Sequence, residues 1–292
     1  MLTIVLLVAC LMAEAQIQTP AASPAGSVSS VIGITEVKID YFRPRLKGRK
    51  VFGEKDVMHP YGQIWRTGAN TGTKISFSDD VTVEGLAVPK GEYLIFTWPG
   101  AAEWTVSIYK DVKLGGDTDN YDKAQEAANF KVKAEKLANQ VETLTISIDD
   151  IANNNKSGAV SLAWENTRIK FSVGADSDAK VMKDIEAKTK VSPGNYVTAA
   201  NYYFDNGKDL NKALEWITLG IDTGNKEAFW NIHTKAKIQK ALGDKKGSLA
   251  TAQQSLELAK KSADGDFGYI KLNEELIKKL NEELTVKTTK KK

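Results

Sequence analysis

Apolar and polar residues alternate through most of the segment from Val37 to Val173. Val37, Ile39 and Tyr41 are separated by Lys38 and Asp40, and the same alternation returns in Thr73-Lys74-Ile75-Ser76-Phe77, Val81-Thr82-Val83-Glu84 and Trp104-Thr105-Val106-Ser107-Ile108. Leu144, Ile146 and Ile148 repeat it, as do Val160, Leu162 and Trp164, then Ile169, Phe171 and Val173. A period of two puts each apolar set on one face, so these runs predict short strands with one side on a core. Val88-Pro89-Lys90-Gly91 offers proline and glycine where a type I turn takes them, and Pro99-Gly100 parts the Tyr93–Trp98 run from the one at Trp104. About eight to ten strands at this spacing predict an antiparallel β-sandwich, or a partly open barrel, over residues 31–174. Tyr93–Trp98 is apolar on both faces and predicts a central strand covered on both sides.

From Asp176 the spacing becomes helical. Ser192-Pro193 is an N-cap followed by proline in the first turn, and Tyr196, Ala199, Ala200, Tyr203 and Phe204 then share a face until Asn206-Gly207. Leu210, Ala213, Leu214 and Ile217 mark a second helix, and Phe229, Ile232 and Ala236 a third that ends at Leu242-Gly243-Asp244. Leu249, Ala252, Leu256 and Ala259 mark a fourth, and the last runs from about Phe267 to Leu284. Ala213 and Ser248 hold equivalent places 35 residues apart. That approaches the ~34-residue tetratricopeptide period, so residues 190–285 are expected to form an α-helical, tetratricopeptide-like hairpin repeat. Residues 286–292 form a basic tail.

The N-terminus changes the picture of where such a protein works. Leu2 to Ala13 is an apolar run closed by Ala13-Glu14-Ala15, which predicts a signal peptide over residues 1–15, cleaved after Ala15, and a linker over 16–30. Export to the periplasm or the outer membrane follows. Leu7-Val8-Ala9-Cys10 supports a second reading, a lipoprotein acylated at Cys10, and a third makes the run a buried helix. The run is too short for a membrane span, and no transmembrane helix is expected in the mature chain. Cys10 is the only cysteine, so cleavage after Ala15 leaves no disulfide and no thiolate metal site. Apolar content of 42% and charged content of 26% suit a globular protein, and a net charge of +3 nominates no partner.

The stretch Tyr41-Phe42-Arg43-Pro44-Arg45-Leu46-Lys47-Gly48-Arg49-Lys50-Val51-Phe52-Gly53 and its continuation Pro60-Tyr61-Gly62-Gln63-Ile64-Trp65-Arg66-Thr67-Gly68-Ala69-Asn70 resemble the DUF2911 family of exported Bacteroidetes-type proteins. Pro89–Thr97, Glu103–Val106 and Ala163–Thr167 extend the resemblance, which covers about residues 25–174. It implies the fold and the export, together with a tetratricopeptide-like tail, and assigns no activity. His59 stands where the family usually carries an aliphatic residue, and Thr71-Gly72 replaces a Glu-Ala-like pair.

Catalytic signatures are missing: the sequence has no G-x-S-x-G elbow, no H-E-x-x-H, no P-loop and no G-x-G-x-x-G after a strand. With only His59 and His233, neither a histidine triad nor a histidine metal site is expected, and no cofactor is. Each histidine reads as a loop or packing residue. Asp117-Thr118-Asp119-Asn120-Tyr121-Asp122 spaces oxygens as a calcium loop does but lacks the EF-hand glycine and distal glutamate, which favours a solvated loop.

Two segments stand out as ligand sites. Arg43, Arg45, Lys47, Arg49 and Lys50 form a basic cluster suited to phosphate or carboxylate, or else a solvated run that discourages edge pairing. Trp65, Arg66, Thr67 and Asn70 could hold a polar ligand over an aromatic platform, unless Trp65 plugs the core and its neighbours bond backbone carbonyls. In the helical part, Trp216, Trp230, Tyr202 and Tyr203 either line a peptide groove or pack internally.

The expected function is therefore an exported cell-envelope binding protein, with the sandwich holding a small anionic or glycan ligand and the helical repeat a protein. Nucleic acid is not expected as a partner. The rival is a glycan hydrolase or lyase using Glu92, Glu103 or Glu165 with Arg66, which requires two of these carboxylates to converge.

Overall fold

In the computed structural model, which describes residues 19–189 and 192–289, the chain divides into two compact units at Ser177/Asp178. The leader of residues 1–15, with Cys10, and the end of the basic tail lie outside the described residues.

The first unit holds strands β1 (Ala25–Ile32), β2 (Thr35–Phe42), β3 (Phe52–Gly53), β4 (His59–Pro60), β5 (Thr73–Phe77), β6 (Val81–Val83), β7 (Leu86–Val88), β8 (Gly91–Trp98), β9 (Glu103–Tyr109), β10 (Glu126–Asp149) and β11 (Ser157–Gly174). Nine of them form one open antiparallel sheet in the order β1-β2-β5-β8-β9-β10-β11-β6-β7, while β3 and β4 make a small parallel pair. The alternation anticipated this: Val37 and Ile39 of β2, Ile75 of β5, Val106 and Ile108 of β9 and Leu144 of β10 are all fully buried. β10 pairs with β9 through its first residues and with β11 through its later ones. Its register slips between Lys136 and Thr145, where β11 carries Glu165 at φ 55 opposite Val141. Such irregularities bend a strand. Trp104 and Ile75 from one arm of the sheet thus share a single core with Trp164 and Ile169 from the other.

Two features depart from expectation and one meets it. Residues 25–30 belong to strand β1 and not to a linker. Their inward positions, Gly26, Val28 and Ser30, include a single large apolar side chain, so periodicity had little to register. Gly26 is small for a reason: a Cβ there would sit 2.8 Å from Arg43 Cδ and 3.3 Å from Tyr41 Cε1. Those two side chains pass close to β1 and reach β10. The Tyr41 hydroxyl bonds the Ile146 N–H (3.1 Å) and C=O (3.4 Å), and Arg43 Nε donates to Leu144 O at 3.2 Å. Second, the two-sided cover expected of β8 is met, its outer face being covered by the segment between β9 and β10. Leu94, Phe96 and Tyr109 pack there against Val112, Leu114 and Tyr121, and the Tyr121 hydroxyl is held by Ser107 (2.7 Å) and Glu126 (2.6 Å). Third, the helical unit starts at Asp178, ahead of residue 190.

That unit contains α1 (Asp178–Lys188), α2 (Pro193–Asp205), α3 (Leu210–Thr223), α4 (Phe229–Ala241), α5 (Lys245–Lys261) and α6 (Tyr269–Thr289). α2 packs on α3, α4 on α5 and α5 on α6. Ser192 caps α2 by accepting from Asn195 N, and the two turns are built alike: Gly207 (φ 62) and Gly243 (φ 85) end one helix, and Asp209 and Asp244 cap the next. Ala213 and Ser248 are both fully buried, and the Ser248 hydroxyl donates to Ala236 O at 2.7 Å. Between α4, α5 and α6 runs a buried polar chain. Asn273 donates to Ser255 Oγ and Tyr269 O, so its Oδ1 accepts from His233 Nδ1–H at 2.8 Å.

Close approach of α2 and α3 depends on Gly220, where a Cβ would lie 2.6 Å from Val197 Cγ2 and 3.1 Å from Pro193 O. Gly220→Ala is therefore expected to destabilise the helical unit by about 1–3 kcal/mol, the usual cost of overpacking. Urea unfolding followed by helical circular dichroism checks this; an unchanged midpoint would mean the helices part freely there.

Candidate functional site

The basic cluster is dispersed by its own bonds. Arg43 is half-buried and spends its guanidinium on Leu144 O and Thr145 Oγ1 (3.3 Å). Arg49 folds back onto Leu46 O (3.0 Å) and Arg45 O (2.9 Å). Arg45, Lys47 and Lys50 stay exposed, with the Lys47 N–H held by Glu142 Oε1 at 3.1 Å. Two guanidiniums of the five cations thus secure backbone carbonyls.

The Trp65–Asn70 segment is also anchored inward. Trp65 is 3% exposed, stacks on His59 (4.6 Å) and Trp164 (5.9 Å), meets Phe52 and Trp104 edge-on, and donates from Nε1 to Gly68 O at 3.1 Å. Of the two readings of Trp65, open platform or core plug, the structure shows the second: the indole is core. Thr67 is fully buried against the Thr97 hydroxyl, 3.0 Å away. Arg66 and Asn70 are exposed, and Arg66 Nη1 donates to Gly116 O at 3.1 Å.

His59 lies half-buried within the same aromatic cluster. Burial, and next the charge of Arg66, push its pKa down to about 4. His233 is lowered chiefly by burial.

The three glutamates do not converge. Glu92, at the open end of the β8–β9 hairpin, pairs with Lys74 (3.2 Å), and Glu103, beside the hairpin turn, pairs with Lys131 (2.8 Å). Glu165 Oε2 accepts from the Val51 and Phe52 N–H groups. Asp117 closes its own loop by accepting from Asn120 and Asp119, the Asn120 amide being the main cause of its lowered pKa. Among the described residues no three His, Cys, Asp or Glu side chains form a metal cluster, and no helix is long and apolar enough to cross a membrane. In the helical unit, Tyr203 packs edge-on against Trp216 (4.8 Å), Tyr202 bonds Asp178 (2.6 Å), and Trp230 is 40% exposed.

What the fold does assemble is a groove of about 700 Å³ on the outer face of the first unit. Strand register aligns Ser27, Asp40, Lys74 and Leu94 across β1, β2, β5 and β8, and Phe42 and Ala25 form the next pair along. The facing wall is Val112, Lys113 and Gly115, with Thr71 and Gly72 alongside. Lys38 lies 2.9 Å from Asp40 and, with a hydrogen bond from Ser27, holds its carboxyl below the ordinary carboxylate range. Lys74 is matched by Glu92. Lys113 is exposed and has no ion-pair partner among the described residues. Arg66 sets this wall from behind: its bond to Gly116 and the tight fit of Gly116 under Asn70 O, where a Cβ would lie 2.4 Å away, hold the loop against residues 66–72. None of the residues lining the groove was nominated as a ligand site from sequence: Ser27 fell in the expected linker, and Asp40 and Lys74 read as solvent positions of alternating strands.

An open antiparallel sheet domain with a groove on its outer face, followed by helices, defines the class of protein. The family model described as protein of unknown function (DUF2911) matches residues 23–173, and the chain belongs to that family. No curated protein and no solved structure matches it.

Proposed function

We propose that this is an exported cell-envelope binding protein whose first unit, a β-sandwich, takes a small anionic or glycan ligand in the outer-face groove. The second unit, a short tetratricopeptide-like array, holds a protein partner. The observation that carries the reading is the chemistry of the groove. Ser27, Asp40 and Lys74 offer a hydroxyl and a charge-balanced pair to ligand hydroxyls, Phe42 offers an apolar surface to a sugar face, and Lys113 is left to meet a carboxylate or phosphate. The sandwich reading is supported by the one core shared by both arms of the sheet. The repeat reading rests on the matching turns at Gly207-Lys208-Asp209 and Gly243-Asp244. Export rests on the Leu2–Ala13 run and on a chain whose only cysteine lies within it.

Thermal shift with glucuronate against glucose tests the groove. A ligand at one hundred times its dissociation constant adds about 2.7 kcal/mol, and Phe42→Ala and Lys113→Ala are each expected to abolish the shift. A shift that survives both substitutions would place the ligand elsewhere, and no shift with either sugar or with anionic headgroups would remove the groove as a binding site.

A further inference from the structure

At one end of the helical unit four aromatic rings gather at the starts of α4 and α6 and in the turn before α6, and two of them, Trp230 and Phe267, are not used by the core. Phe229, 3% exposed, is flanked by Trp230 (4.9 Å), Tyr269 (5.6 Å) and Phe267 (6.5 Å, interplanar 20°). Trp230 is 40% exposed and Phe267 70% exposed, and neither belongs to a core cluster of the unit. Phe267 is also in the wrong conformation for its size. It stands at φ 48 between Asp266 and Gly268 (φ 83), in a turn that already has Gly265 at φ 95. A bulky side chain at positive φ is a rare, strained choice, and glycine or asparagine would make the same turn more easily. The turn itself is held by Asp266, whose carboxylate accepts from Ile270 N at 3.0 Å and whose C=O accepts from Tyr269 N at 2.8 Å. Neither local geometry nor packing accounts for a phenylalanine here.

The loop's charges state what would sit on the rings. Residues 262–268 carry only Asp264 and Asp266, and Asp264 is exposed with no ion pair among the described residues. Exposed ring faces beside a free carboxylate attract a cation with an apolar stem. We infer that the Trp230–Phe267 end of the helical unit docks an arginine- or lysine-bearing apolar segment of a partner protein. This rests on reading the helical unit as the protein-holding part and is independent of the groove.

The test is an NMR titration of the purified protein with two end-capped peptides, Arg-Leu-Arg and Glu-Leu-Glu. The basic peptide is expected to move the Gly265 and Gly268 amide signals and the Trp230 indole signal. Phe267→Gly removes the response while its thermal midpoint holds or rises, because glycine suits φ 48. Asp264→Asn weakens binding roughly fivefold. Phe42→Ala, altered only in the other unit, leaves the titration unchanged. Equal response to both peptides, no response to either, binding that survives Phe267→Gly, or a lower midpoint for that variant overturns the inference. So does a concentration-dependent shift of the same signals without peptide, which would give the surface to a second copy of the chain.

Discussion

Trp65→Ala will cost the sheet unit about 3–5 kcal/mol, a large share of the roughly 5–15 kcal/mol by which domains are stable. The indole is enclosed by Phe52, His59, Trp104 and Trp164, with centroids 4.6 to 6.1 Å away, and these rings come from β3, β4, β9 and β11. Elements so far apart in the chain cannot collapse together into the space left behind, so the cavity term adds to the lost transfer energy. The backbone at Trp65 exchanges both hydrogen bonds with Thr97, at 2.7 and 2.9 Å, so the segment cannot slide to refill it. Deleting the indole also leaves Gly68 O without its donor. Trp65→Phe should retain more than half of the stability lost by alanine, since ring volume is largely kept. Urea unfolding followed by circular dichroism of the sheet measures both. A midpoint unmoved by Trp65→Ala would mean the side chain stands in solvent, as a ligand platform does.

The contrast between Trp65 and Phe42 shows what a sequence conveys and what it hides. Alternation reports that one face of a strand is buried, and Val37, Ile39, Ile75 and Ile108 obeyed it. It does not report which polar faces will lie side by side. Asp40 and Lys74 become neighbours only through the β2–β5 register, and Ser27 joins them from a strand whose inward side has too few apolar residues to be recognised. The polar residues of the basic cluster and of the Trp65 loop looked available because their partners are backbone carbonyls: Leu144 O, Leu46 O, Gly116 O. Every residue type has a carbonyl, so no composition signal marks it. The cap at Ser192 and the stops at Asn206-Gly207 and Leu242-Gly243-Asp244 were legible for the opposite reason. Ser192, Asp209 and Asp244 act within three residues of their own position, and local chemistry is what sequence spacing records.

Between pH 6.5 and about 4 the sheet unit will lose stability that a His59→Leu variant keeps. His59 titrates near its ordinary 6.5 when unfolded, whereas in the folded protein burial among Trp65, Trp164 and Phe52, followed by the charge of Arg66, pushes it down to about 4. Above 6.5 both states leave the ring neutral and its contribution is fully present. As pH falls through the window the unfolded chain takes a proton that the folded one refuses, and unfolding gains. Below about 4 both states are protonated and the loss is complete. It amounts to about 2–3 kcal/mol, after a discount for the water that a half-buried ring still meets. The lowered carboxyls of Asp40 and Asp117 do not compete in this window, because each is lowered from an ordinary value of 3.8. His233 also loses stability with acid, but in the helical unit, and comparison of the parent with His59→Leu cancels it. Urea midpoints for the two proteins should run parallel above pH 6.5 and diverge below it. Parallel curves throughout would mean that protonated His59 finds water without unfolding the strands around it, and that the aromatic cluster opens locally at acid pH.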